Sequence, residues 1–192
     1  MKYLSSSRIN GLFPDFNHDS KDQRSFGYWC RLWLSQSHRI VKDGGVLCQF
    51  TDWRQLPTVT DVVQSVDWIW RGIAVWDKKN SRPQLGRFRQ QCEYIVWGSK
   101  GKLSNKGECL PGCFSQAIVP NKKRLHQTQK PDEVMQAVCK IAWKENAVIL
   151  DPFAGSGSTL AAAKQLGKQA IGVELSEYYA EQTAKRLEAI VV

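Results

Sequence analysis

Nothing in this 192-residue chain comes near the roughly 18 successive apolar residues of a membrane-spanning helix, and its 42% apolar content suits one soluble domain with a substantial core. Acidic residues are outnumbered: 18 Asp and Glu against 27 Lys and Arg leave a formal charge of +9 and a pI near 9.3, which favours a polyanionic partner. Histidine is scarce, and His18, His38 and His126 share no spacing that suits a metal or a nucleophilic triad. No apolar run follows Met1 and Lys2, so no export signal is read there and a cytoplasmic location is expected. That compartment, and the placing of Cys30, Cys48, Cys92 and Cys139 in expected strands and helices, predicts buried reduced thiols in place of disulfides. Cys109 and Cys113 flank Leu110, Pro111 and Gly112 with no second Cys or His pair at useful spacing, so no zinc site is expected.

What is present centres on residues 148–159, VILDPFAGSGST, which read as a buried strand entering a glycine turn that opens a helix. Gly155 and Gly157 let the backbone approach a ligand with no Cβ in the way. Ser156, Ser158 and Thr159 are capping candidates for a helix carrying Leu160, Ala161, Ala162, Ala163 and Leu166. A second strand, over residues 169–174, ends in Glu174. That acid lies 19 residues beyond Gly155, close to the offset of about 20 at which a βαβ unit places a carboxylate on ribose hydroxyls. The ligand expected is therefore a nucleoside. A dinucleotide fingerprint wants a third glycine where Leu160 stands, and a phosphate loop wants a lysine that does not arrive until Lys164. Asp151 at the strand end repels phosphate and suits a positive charge, so S-adenosylmethionine, a cationic nucleoside, fits best.

These residues resemble the amino-group DNA methyltransferases, the adenine-N6 and cytosine-N4 enzymes, in the permuted order that places the cofactor half last. HQTQKP over residues 126–131, the strand and turn at 148–159, IGVELS over 171–176, and Tyr179, Ala184, Arg186 and Leu187 follow that family in order and spacing. Residues 22–100 follow it more loosely. The resemblance implies a Rossmann-like, doubly wound α/β methyltransferase sheet with S-adenosylmethionine as cofactor. It makes Asp151, Phe153, Gly155, Ser156 and Gly157 the wall around the cofactor's methionine and ribose, and Glu174 the acceptor for the ribose hydroxyls. Thr128, Lys130 and Pro131 would precede a helix beside the glycine turn and help enclose the cofactor. A phage or restriction-modification setting is implied, with adenine ahead of cytosine as target.

Upstream, residues 22–41 carry Phe26, Trp29, Cys30, Trp33, Leu34, Ile40 and Val41 mostly at helical spacing, stopped by Gly44 and Gly45. A strand over 46–50 feeds residues 51–54 at a crevice edge, and a helix over 55–66 precedes strands over 68–77 and 92–98. The alternation favours a doubly wound sheet in a single domain: a loop at 1–21, a substrate half at 22–98, a basic loop at 99–130 and a cofactor half at 131–192.

The resembling family's catalytic signature, Asp/Ser/Asn-Pro-Pro-aromatic at a strand end, should stand ahead of residue 22 and is not in the sequence. Phe13, Pro14, Asp15 and Phe16 have the wrong order and a single proline. In the family this motif holds the target amine and stacks on the flipped base, so no catalytic residue is assigned. Its strand would lie between residues 148–151 and 46–50. Those two should then pair directly, leave open edges, or accept a strand from elsewhere, a second copy of the chain included. The chain is expected to bind cofactor weakly or moderately and to methylate DNA poorly or not at all. An inactive remnant that binds DNA or S-adenosylmethionine is the alternative, and a nucleotide-binding oxidoreductase a third.

Lys78, Lys79, Arg82, Arg87 and Arg89 surround one expected loop, and Lys100, Lys102, Lys106, Lys122, Lys123 and Arg124 the next. In the resembling family such loops meet the phosphates of double-stranded DNA; the plain alternative is that they solvate a surface. Among the eight tryptophans, Trp29 and Trp33 share a helix face and Trp68, Trp70 and Trp76 read as strand core. Trp53, just past a strand end beside Asp52, is the candidate to face substrate or cofactor.

Overall fold

The computed structural model of the protein describes residues 21–120, 122 and 129–191. Helix α1 (Gln23–Ile40) starts where Asp22 accepts a hydrogen bond from the Ser25 N–H at 2.8 Å, and it ends with His38 and Arg39 at its negative pole. Gly27, Cys30 and Leu34 recur at helical spacing and form its buried face. A Cβ at Gly27 would stand 3.0 Å from Thr58 Cγ2, so this glycine sets how closely α1 meets α2 (Leu56–Gln64). Between the two helices runs β1 (Val46–Thr51), and after α2 come β2 (Ile69–Asp77), β3 (Cys92–Ser99) and β4 (Cys113–Ser115). The second half contains α3 (Asp132–Cys139), β5 (Val148–Asp151), α4 (Ser158–Gln165), β6 (Gln169–Gly172) and α5 (Glu177–Glu188).

Two sheets result. The first has the order β1-β3-β2-β4, in which β3 is antiparallel to both β1 and β2 while β4 adds in parallel to β2. The second is the parallel pair β5-β6, with Asp151 opposite Gly172. Of the three arrangements open to β1 and β5, the described residues show free edges: neither strand has a ladder partner on its second side. Short strand β4, inside the expected basic loop, and helix α5 are elements for which sequence patterning made no prediction.

Cys30, Leu34, Val59, Val63, Val66, Trp68 and Val96 fill the space between α1, α2 and the first sheet, and Trp68 Nε1 donates to Leu34 O at 3.1 Å. Fully burying a side chain such as Leu34 contributes about 2 kcal/mol. A second cluster, Met135, Cys139 and Ala162, packs against Phe50 of β1, Ile149 of β5 and Leu166. Side chains therefore join the two sheets where no backbone ladder does. No helix among the described residues is long and apolar enough to cross a membrane.

Candidate functional site

At the carboxyl end of β5 the Asp151 carboxylate accepts the Phe153 N–H at 3.0 Å, fixing the first bend of the turn. Val173 N–H donates to Asp151 O and Ala154 N–H to Val173 O, both at 2.9 Å, so the chain following β6 stays beside the turn. Gly155 and Gly157 take φ of +53° and +71°, the left-handed region that costs glycine little. Glu174 then closes the site. Its Oε2 accepts the Gly155 N–H at 2.8 Å and its Oε1 accepts the Ser176 N–H at 2.9 Å. Each carboxylate oxygen has one backbone donor and keeps acceptor capacity for a hydroxyl, which is what a vicinal diol requires.

Helix α5 fastens the turn from behind. Thr183 Oγ1 donates to Gly155 O at 2.9 Å, and Arg186 Nη1 reaches Ser156 O at 2.9 Å and Ser158 Oγ at 3.2 Å. Arg186 Nη2 meets Asp132 Oδ1 at 2.5 Å, tying α3 to the same turn. Sequence reasoning gave Thr183 and Asp132 no role and read Arg186 only as part of a pattern. The available signal was the spacing of Tyr179, Thr183 and Arg186 along one helix face.

Two expectations about the turn need correcting. A Cβ on Gly157 would stand 2.4 Å from Thr183 Cγ2, so the space left by this glycine is filled by α5 and does not open toward a ligand. No serine or threonine side chain caps α4 either: Gly157 is the N-cap residue, and the Ser158 hydroxyl is engaged by Arg186.

Phe153 is half exposed, and its ring lies 5.1 Å from Trp29 and 5.2 Å from Trp33, forming an aromatic wall with α1. Lys130 has partners within the fold. Its ammonium pairs with Glu93 at 2.8 Å and lies over the Phe50 ring, while Lys78 holds the other Glu93 oxygen at 2.9 Å. Burial by itself would raise the Glu93 carboxyl, but the two ammonium groups outweigh it and hold the carboxyl below its ordinary range. Pro131 is buried as the residue before α3, and Thr128 lies outside the described residues.

Among the basic residues, Arg82, Arg87, Lys102 and Lys122 are exposed, whereas Lys123 and Arg124 lie outside the described residues. Lys100 does not fit a phosphate-binding role: its ammonium donates to Val41 O at 2.9 Å and closes the turn before β1. Trp53 is 51% exposed at the carboxyl end of β1, beside an Asp52 carboxylate that accepts the Arg54 and Gln55 N–H groups. Trp68 and Trp76 are core, but Trp70 is 40% exposed. All six cysteines are free thiols, with Cys109 and Cys113 exposed.

A parallel βαβ unit whose glycine turn is hydrogen-bonded to an acid two residues past the next strand defines an α/β protein of Rossmann-like type. The DNA methylase family model of the N6/N4 type matches residues 10–110 and 105–185, and the chain belongs to this family. It is 31% identical over 207 residues to the type II methyltransferase M.HinfI of Haemophilus influenzae, covering 96% of this chain and 56% of that protein. It is 30% identical over 163 residues to YubD of Escherichia coli (strain K12), a protein designated a methylase, covering 84% and 70%. The chain thus spans about half the length of M.HinfI. Among solved structures, the M1.HpyAVI–SAM complex superposes with a TM-score of 0.74 at 25% identity over 85% of this chain and 84% of that one. The PvuII DNA methyltransferase (cytosine-N4-specific) gives 0.76 at 13% identity over 95% and 78%, a likeness of fold.

Proposed function

We propose that this chain binds S-adenosylmethionine in the glycine-turn cradle and serves methyl transfer to an exocyclic amine of adenine or cytosine in double-stranded DNA. The reading is carried by the Glu174 carboxylate, held by Gly155 N–H and Ser176 N–H with one acceptor position open on each oxygen. Asp151, Phe153, Gly155 and Ser156 would line the cofactor's methionine and ribose, with Gly157, Lys130 and Pro131 supporting the turn and the helix beside it. The bound sulfonium supplies an already activated methyl group, so the protein's task is orientation and charge placement. Glu174 does this for the ribose, while the anionic Asp151 end of β5 suits the cofactor's positive centre. The type II designation of M.HinfI supports a restriction-modification setting, in the cytoplasm, where DNA and free thiols are found together.

Titration of S-adenosylmethionine into wild type and Glu174→Ala tests the cradle. Loss of a hydrogen bond to a charged group costs about 1.5–3 kcal/mol, so the variant should bind roughly ten- to a hundredfold more weakly. Equal affinities, or binding of NAD in place of S-adenosylmethionine, would overturn the reading.

A second reading, binding without catalysis, is favoured by the unpaired edges of β1 and β5 among the described residues. Transfer of tritiated methyl to DNA by the purified chain at a normal enzymatic rate would exclude it, and nucleoside analysis of the product would name the base. A second copy of the chain would cover those edges, and a clean monomer in analytical ultracentrifugation at tens of micromolar would count against that.

A further inference from the structure

The loop between β2 and β3, residues 78–91, holds Lys78, Lys79, Arg82, Arg87 and Arg89 and no acidic residue. Its base is a fastened stalk. Lys78 N–H donates to Gln91 O at 2.9 Å, Gln91 Nε2 to Asp77 Oδ1 at 2.9 Å, and Arg89 Nη1 to Lys79 O at 3.4 Å. Across the loop, Asn80 Oδ1 accepts the Ile118 N–H at 3.0 Å. Above the stalk the apex presents two large apolar side chains to water: Leu85 is 98% exposed and Phe88 97%. They flank a reverse turn in which Gly86 takes φ of +69°, and the side chains of Arg82, Leu85, Arg87 and Phe88 have no polar or ring partner among the described residues.

We propose that Leu85 and Phe88 form a wedge that enters the base stack of duplex DNA next to the target nucleotide, with Arg82 and Arg87 on the flanking phosphates. The inference rests on the DNA-methylation reading above. Five cations without an acid call for a polyanion, and two bare apolar side chains call for an apolar slot. Duplex DNA meets both needs, because its phosphates enclose stacked bases that open at a step to admit Phe or Leu. Taking a base out of the stack creates such a gap.

Position agrees with this role. β1 and β2 are both antiparallel to β3, so the loop leaves the same carboxyl edge of the sheet at which Trp53 follows β1. The stalk is also tied toward the glycine turn. Lys78 and Lys130 share Glu93, and two residues after Lys130 the Asp132 carboxylate takes Arg186, which holds Ser156.

Fluorescence anisotropy on three duplexes of one sequence, intact, with a central abasic site and with a central mismatch, tests the wedge. Wild type should bind the two opened duplexes about tenfold more tightly than the intact one, since they present an unstacked gap at less cost. The double variant L85A/F88A should bind the intact duplex within about threefold of wild type, while its preference for opened DNA falls below about twofold. R82A/R87A should instead weaken binding to all three duplexes alike and shrink the slope of log K against log salt by about 1.8. An unchanged preference in L85A/F88A would overturn the wedge, as would a loss confined to binding of phosphatidylglycerol vesicles. Wild type that binds duplex with a steep salt dependence but no preference would sink the wedge and leave the methyltransferase reading standing. Wild type that binds no duplex at all would sink both. The two side chains are almost wholly exposed among the described residues, and an unchanged melting temperature for L85A/F88A checks that any difference is one of binding.

Discussion

Replacing Gly157 by alanine separates two roles for the second glycine of the turn. The new Cβ would stand 2.4 Å from Thr183 Cγ2 and 3.0 Å from its Oγ1, with the backbone held at φ of +71°. Left-handed backbone costs an alanine about 1–2 kcal/mol, and forcing a methyl into filled space adds about 1–3 kcal/mol. Gly157→Ala should therefore lose about 3 kcal/mol in urea unfolding, a large part of a small domain's stability. Thr183→Ser removes the offending methyl but keeps the hydroxyl that donates to Gly155 O at 2.9 Å. The double variant should then recover about 1–2 kcal/mol and retain the backbone penalty, a coupling that a double-mutant cycle measures directly. A Gly157→Ala protein within about 0.5 kcal/mol of wild type, or additive effects of the two changes, would refute the packing argument. If the variant kept its stability but lost S-adenosylmethionine affinity, the glycine would be facing the ligand after all.

Glu93→Gln should lower stability at pH 7 by about 2 kcal/mol, because it strips the partly buried Lys78 and Lys130 ammonium groups of their shared anion. The folded-state carboxyl is held below its ordinary range, so this contribution is complete above that range and fades as pH falls through the depressed value. Melting curves of wild type and variant should converge in acid, and a gap that persisted or widened would contradict the assignment. Burial pushes the Cys30 thiol up to about 11 and those of Cys48 and Cys139 up to about 12, whereas Cys109 and Cys113 are exposed. Thiol-reactive dye at pH 8 should label Cys109 and Cys113 quickly and the buried Cys30 and Cys139 only on unfolding, as peptide mapping can show. Duplex affinity should fall steeply with salt; Arg87→Ala should reduce the log-log slope by about 0.9, while Lys100→Ala, whose ammonium is bonded to Val41 O, should leave it unchanged.

Local signals made most of the fold readable. The helix expected over 22–41 is Gln23–Ile40, and the strands expected over 46–50, 68–77 and 92–98 are Val46–Thr51, Ile69–Asp77 and Cys92–Ser99. Each has a strong apolar pattern, and Gly44 and Gly45 mark a clear stop after the first helix. Three residues of β4 carry no such pattern. They become a strand because Val75, Trp76 and Asp77 offer an edge, and that is information from elsewhere in the chain.

The site divides along the same line. That Glu174 would lie beside Gly155 was legible because their offset is a property of one βαβ unit, and the hydrogen bond between them follows from local geometry. Gly157 was misread because the space beside it is filled by Thr183, distant in sequence, and Lys130 and Lys100 take partners, Glu93 and the Val41 carbonyl, that no local pattern announces. A glycine in a turn or a lysine in a loop has the same one-dimensional appearance whether it serves a ligand or the fold. Only the atom occupying the space beside it tells the two apart. In this protein that atom repeatedly belongs to a contact that locks the glycine turn to α5 or the loop bases to the sheet. The turn's shape is thus set by packing behind it, and Thr183 and Arg186 hold Gly155 and Ser156 where Glu174 can meet the turn.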